Sequence, residues 1–250
     1  MKIFKEILGR LFAVWGVIIF IVTMLPVFLA MWSIRVIKEP RRTYIFRLIS
    51  KRWMQVFFFF VGCRLVIRGK HHFKKGENYI LVCNHNSLFD VPVTTPFIPG
   101  PANKTIAKIE MARTPLFGLI YSRGSILVDR KNPNSRRDSY NKMKEVLQSG
   151  LQMCIYPEGT RNRSDVPLKE FHDGAFRLAK DTGNTIMPTV IFNTRKVLPP
   201  GKFFFFWPSR MEMHFLEPRL ISGMDNPVIL KQEVFEKMWN YYASNVKRLG

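Results

Sequence analysis

Between Arg10 and Arg35 the chain carries no charged side chain; the stretch reads LFAVWGVIIFIVTMLPVFLAMWSI. That is roughly the length needed to cross the hydrocarbon core of a bilayer. A cleavable signal peptide has a shorter apolar region followed by a small-residue cleavage site, and neither condition is met. A single membrane span is one arrangement that remains. Pro26 falls inside the run and can kink or break a helix. A second apolar segment, Trp53 to Gly62, follows a basic stretch containing Arg35, Lys38, Arg41, Arg42, Arg47, Lys51 and Arg52. Lys2, Lys5 and Arg10 precede the first run, so positive charge flanks it on both sides. A spanning helix is expected to carry its excess of Lys and Arg on the cytoplasmic side only. The pattern therefore favours two helices that dip into one leaflet and return, keeping both basic ends on the same anionic surface.

The net charge of +21 over 250 residues, with a pI near 10.3, calls for an acidic partner: an anionic membrane, an acidic protein or nucleic acid. Nucleic acid is disfavoured. No RRM-like, zinc-finger or helix-turn-helix signature is present, and the cations are spread along the chain. Cys63, Cys83 and Cys154 are odd in number, lie in apolar surroundings and form no CxxC pair. They read as reduced, buried thiols of a cytoplasmic-side protein, not as ligands of a structural metal.

Beyond a seam near residue 65, short apolar runs alternate with amphipathic ones. Tyr79–Cys83, Ser125–Val128, Leu151–Tyr156 and Thr185–Phe192 predict strands, several buried on both faces. Ser135–Gly150 predicts a helix with Tyr140, Met143, Val146 and Leu147 on one stripe and Gly150 as its stop. A short helix over Ala175–Lys180, ending near Gly183, and a last one from about Pro227 to Arg248 follow. The alternation predicts an α/β domain over residues 65–250, with residues 1–64 as a membrane-associated helical element.

Four blocks carry chemistry. Asn84-His85-Asn86-Ser87-Leu88-Phe89-Asp90 directly follows a strand, where α/β folds place their sites. A histidine moves protons near neutral pH, and a carboxylate can hold its tautomer and stabilise the imidazolium. At i, i+5 the two side chains diverge on an ideal helix, so they meet only if a turn leads into a helix. The second block is Tyr156-Pro157-Glu158-Gly159-Thr160-Arg161, again after a strand. Glycine lets the backbone approach a ligand closely, and Thr and Arg can bind phosphate oxygens. The third is the strand Gly124–Val128 leading through Asp129 to Arg130. The fourth is Ile186-Met187-Pro188, whose proline predicts a strand end or edge.

In this order the blocks resemble the glycerolphosphate acyltransferase superfamily, most closely 1-acylglycerol-3-phosphate acyltransferases of the bacterial PlsC type, over about residues 65–220. The resemblance implies a mixed sheet wrapped by helices behind an N-terminal two-helix membrane element. It implies His85 as catalytic base and Asp90 as its partner. Around them the blocks supply the candidate substrate-binding residues Asn84, Gly124, Arg130, Glu158, Gly159, Thr160 and Arg161, the Arg130 block and the Glu158–Arg161 block being credited with the acceptor phosphate. Leu127 stands where an aromatic is common, Tyr156 replaces a usual Phe, Asn162 stands where Ser is frequent, and His172 stands where many relatives have Lys.

The activity so implied is transfer of a fatty acyl group from acyl-carrier protein or coenzyme A to the free hydroxyl of lysophosphatidic acid, giving phosphatidic acid. It needs no metal or cofactor and would take place at the cytoplasmic face of the inner (plasma) membrane. Another lyso-lipid acceptor, such as a lyso-ornithine lipid, and a non-catalytic basic membrane-surface protein are the alternatives. Ser87 is a possible nucleophile, but no G-x-S-x-G elbow supports it. The run Phe203–Phe206 with Trp207, bracketed by Pro199-Pro200-Gly201-Lys202 and Pro208-Ser209-Arg210, predicts either a doubly buried strand or a second membrane contact.

Overall fold

A computed structural model describes residues 2–249. Two helices, α1 (Lys2–Ser33) and α2 (Arg41–Phe60), precede the sheet. The strands are β1 (Arg64–Arg68), β2 (Ile80–Cys83), β3 (Asn103–Lys108), β4 (Ser125–Val128), β5 (Gln152–Ile155), β6 (Ile186–Phe192) and β7 (Arg210–Phe215). Between and after them run α3 (Asp90–Thr94), α4 (Phe117–Arg123), α5 (Pro133–Gln148), α6 (Gly174–Thr182), α7 (Thr194–Val197) and α8 (Pro227–Leu249). The sheet order is β1-β7-β6-β2-β5-β3-β4. The pair β6·β7 is antiparallel and every other pair is parallel, which makes the expected mixed sheet. The C-terminal ends of β2, β3, β4, β5 and β6 therefore share one edge.

Alternation along the strands sorts the core into two layers. Leu81, Cys83, Cys154, Met187 and Met213 face α1 and α2. Ile80, Val82, Met153, Ile155 and Val190 face the layer of α5, α6 and α8. All three cysteines are free and buried, as expected. The seam near residue 65 is a boundary of composition and not of packing, because Met31, Trp53, Phe57 and Phe58 belong to the same cluster as the strand residues.

The helical pair is an antiparallel hairpin. Trp15 Nε1 donates to the Phe60 carbonyl (2.9 Å), and Trp53 Nε1 donates to Thr23 Oγ1 (2.9 Å). α1 continues through Pro26. At its closed end the Glu39 carboxylate accepts from Thr43, Arg42 and, from β3, Lys104 Nζ (2.7 Å). Burial alone would raise its pKa; the hydrogen bonds from Lys104, Thr43 and Arg42 outweigh that and hold it down at about 2.

The phenylalanine run is not a strand. Phe204 has a φ of +50°, the backbone turns there, and the run divides by halves instead of alternating. Phe203 and Phe204 are exposed, whereas Phe205 and Phe206 are buried against α1. The Phe206 amide donates to the Gly9 carbonyl (3.0 Å), and the Phe205 ring fills the space a Cβ on Gly9 would need. Replacing Phe205 or Phe206 with alanine is expected to cost roughly 3–5 kcal/mol in stability. Changing Phe203 and Phe204 together to serine should leave the melting temperature in place and lower flotation with anionic liposomes. Thermal melts and flotation of both variants check this.

Three strands escape a pattern reading. In β3 the inward residues are Asn103, Thr105 and Ala107, which are polar or small, and in β7 two inward positions are Glu212 and His214. β1 is an edge strand with arginine at both ends. Pro188 also departs from expectation, since β6 is an interior strand. Its carbonyl accepts from the Leu216 amide (2.9 Å), just past the last residue of β7, so the missing N–H falls where the neighbouring strand has ended.

Candidate active site

β2 ends at Cys83, and Asn84–Phe89 turn back before α3 begins at Asp90. This is the turn into a helix that the i, i+5 spacing requires. It places His85 Nδ1 2.8 Å from Asp90 Oδ2. The same oxygen accepts the amides of Asn86 (2.5 Å) and Ser87 (2.8 Å), and Oδ1 accepts from Thr194 Oγ1 (2.5 Å). A fully buried carboxylate with four hydrogen-bond partners is held in one geometry. With Nδ1–H donating to it, the lone pair of the imidazole lies on Nε2. The His85 side chain keeps 19% of its surface open, so the ring is within reach of a ligand. The Tyr156 ring lies 4.7 Å from the imidazole, and its hydroxyl pairs with Thr94 Oγ1 at 2.5 Å.

The two signature blocks are joined through the backbone of one residue. The His85 amide donates to Glu158 Oε1 (2.7 Å), and the His85 carbonyl accepts the Asn162 amide (2.7 Å). Glu158 Oε2 accepts the Lys169 amide (3.0 Å). Glu158 is buried, and burial pushes its pKa up to about 7 against the pull of the His85 and Lys169 amides. The folded protein therefore binds this proton more tightly than the unfolded chain. Stability contributed this way is present below the ordinary glutamate range and is lost as pH rises toward 7. Glu158→Gln should flatten that segment of the stability profile: the variant gains on wild type between about pH 4.5 and 7. Melting temperatures of both proteins across this range test it.

Not every expected site residue is open to a ligand. Asn84 is fully buried; its Nδ2 donates to the Ile191 carbonyl (3.0 Å) and its Oδ1 accepts the Ile191 amide (2.7 Å), so it clamps β2 to β6 instead of touching substrate. Gly124 starts β4 at the far edge of the sheet, where a Cβ would run into the Phe46 ring; it is a packing glycine. Glu158 acts inward, on His85. Ser87 Oγ donates to the Leu198 carbonyl (2.9 Å) and accepts the Phe89 amide (3.2 Å), leaving it no role as nucleophile.

The remainder form a cationic rim. Arg130 Nη1 donates to the Gly159 carbonyl. Gly159 has φ +67°, and a Cβ there would lie 2.8 Å from the His172 ring. Lys169 Nζ donates to Thr160 Oγ1 (3.0 Å). Arg161 is half-buried and makes no ion pair to any described residue. Thr194 and Lys169 were not expected at the site, and Tyr156, which opens the second block, was given no role there. Thr194 follows the C-terminal end of β6, and that position is the one signal that could have drawn attention to it.

The acyltransferase family model matches residues 64–192, just over half of the chain and all of the blocks above. The chain belongs to the acyltransferase family. This acyltransferase is 32% identical over 168 residues to 1-acyl-sn-glycerol-3-phosphate acyltransferase alpha of Mus musculus, covering 65% of the chain and 57% of that protein. It is 26% identical over 153 residues to 1-acyl-sn-glycerol-3-phosphate acyltransferase of Borreliella burgdorferi, covering 59% and 58%. The acyltransferase thus spans about half the length of the curated relatives it matches. Its fold is that of the crystal structure of PlsC, the 1-acyl-sn-glycerophosphate acyltransferase of Thermotoga maritima. The TM-score is 0.80 at 22% identity, over 95% of this chain and 96% of that one.

Proposed function

We propose that this chain transfers a fatty acyl group from an acyl thioester, on acyl-carrier protein or coenzyme A, to the free hydroxyl of 1-acylglycerol-3-phosphate. The observation that carries the reading is the His85–Asp90 pair, fixed at 2.8 Å at a strand end with the imidazole partly exposed. Nε2 takes the proton of the acceptor hydroxyl as that oxygen attacks the thioester carbonyl. The C–S bond then breaks, the ester C–O bond remains, and the imidazolium returns the proton to the thiolate. No covalent acyl-enzyme forms, so both substrates must be bound together.

The rim supports a phosphate-bearing acceptor. Arg161→Ala is expected to raise KM for lysophosphatidic acid by roughly 10- to 150-fold, since an Arg–phosphate contact is worth about 1.5–3 kcal/mol. The donor KM should stay put. Arg130→Ala should act the same way, with an added effect through the Gly159 loop. Labelled acyl donor offered with several lyso-acceptors tests the function as a whole. Preferential acylation of lysophosphatidic acid is expected; preference for a lyso-ornithine lipid would redirect the reading to that acceptor, and no transfer to any would refute it.

The same reading places the enzyme at the cytoplasmic face of the plasma membrane, held in one leaflet. α1 is docked along its length, from Gly9 at the Phe205 loop to Met31 in the core. Its other side exposes Leu11, Val14, Ile18, Val22 and Leu29 beside Phe59 and Phe60 of α2. A helix so attached supports lying in the interface with the domain on top, and not leaving the domain to cross.

A further inference from the structure

α5 starts at the rim. Arg130 holds the Gly159 carbonyl, Lys131 follows, and Asn132 Oδ1 caps the helix by accepting the amides of Asn134 (2.9 Å) and Ser135 (3.3 Å). The first turn of α5 contains no acidic residue. Lys131 stands before it and Arg136 and Arg137 just after, at the end of the helix where cations are repelled by the aligned peptide dipoles. All three are exposed, and none makes an ion pair with a described residue. On the same layer Lys144 pairs with Asp181 at 2.7 Å and Lys231 with Asp173 at 2.8 Å, whereas these three have no such partner among the described residues. An unfavourable, unpaired cluster beside the site calls for an anionic partner.

Its position selects the partner. α5 packs on the sheet face opposite α1 and α2, so the cluster looks into water and away from the apolar stripe. The three cations are spread over a loop and a convex helix start instead of converging on a cavity. That layout fits the extended acidic face of a protein better than the compact phosphates of a nucleotide. We infer that Lys131, Arg136 and Arg137 dock a small acidic carrier protein bearing the acyl thioester, which approaches from the aqueous side while the lipid acceptor comes from the apolar side. The inference rests on the acyl-transfer reading above.

The test is the triple charge reversal Lys131→Glu, Arg136→Glu, Arg137→Glu in the full chain. With acylated acyl-carrier protein as donor, KM should rise by about tenfold or more, while kcat and the acceptor KM hold. With long-chain acyl-CoA, the donor KM should change by less than about twofold. Fluorescence anisotropy of labelled holo-carrier protein should show weaker binding with a smaller salt dependence. Equal loss with both donors would overturn the inference in favour of nucleotide binding. No change with either, or a wild-type enzyme that uses acyl-CoA alone, would also overturn it. If wild type transfers from neither donor, the acyl-transfer reading fails. The anisotropy arm still decides docking in that case: binding weakened by the reversal supports it, and binding absent or unaltered rejects it.

Discussion

Alanine in place of His85 should lower kcat by about 10²- to 10⁴-fold, the contribution of a positioned general base, with little change in melting temperature. The side chain is half-buried and makes a single hydrogen bond, and Asp90 retains three other donors once the imidazole is gone. Asp90→Ala is a different experiment. It strands the Asn86 and Ser87 amides and the Thr194 hydroxyl in a buried site, at about 1–3 kcal/mol each, so folding and activity should fail together. Asp90→Asn keeps the shape and most of the bonding and isolates the catalytic effect. Rates with labelled acyl donor, alongside melts by circular dichroism, separate the outcomes. A well-folded His85→Ala protein with full activity would end the general-base mechanism.

Removal of residues 1–62 should abolish folding, not merely membrane attachment. Met31, Trp53, Met54, Phe57 and Phe58 are buried against the sheet side of the molecule. At about 1.5–3 kcal/mol for each such side chain, their loss rivals the whole net stability of a typical domain, about 5–15 kcal/mol. The truncated chain should give no cooperative melt and should aggregate through the uncovered Cys83–Met187–Met213 face. A cooperative melt for residues 63–250, with activity on dispersed short-chain substrate, would show instead that the two parts fold separately.

The fate of the same hydrophobic code in different places explains what could be read in advance. β4 falls on Ser125–Val128 as expected, and β2, β5 and β6 lie within a residue of expectation at each end, because strands buried on both faces read as unbroken apolar runs. β3 and β7 carry polar residues inward and so give no unbroken apolar run. His85 and Asp90 were legible as a pair through the resemblance carried by the blocks together; their spacing alone required a turn if they were to meet. The inward roles of Asn84 and Glu158 were not: a motif marks positions near a site without saying which way a side chain faces. Of the two readings of the phenylalanine run, the strand fails because one residue with positive φ, Phe204, breaks the alternation.

β7 has a further consequence. Glu212 and His214 are both buried, joined at 2.9 Å; Glu212 also holds Arg68 (3.1 Å) and Arg210 (2.8 Å), and His214 reaches Tyr241 (2.9 Å) on α8. Removing one partner of a buried hydrogen bond leaves the other unsatisfied and is costly, while replacing both with apolar residues of the same shape is often nearly neutral. Single substitutions at either position are thus closed to gradual change, and paired ones are open. In descendants of this sequence the glutamate and the histidine should be inherited together or lost together, and the strand least visible as a strand should be among the slowest to drift.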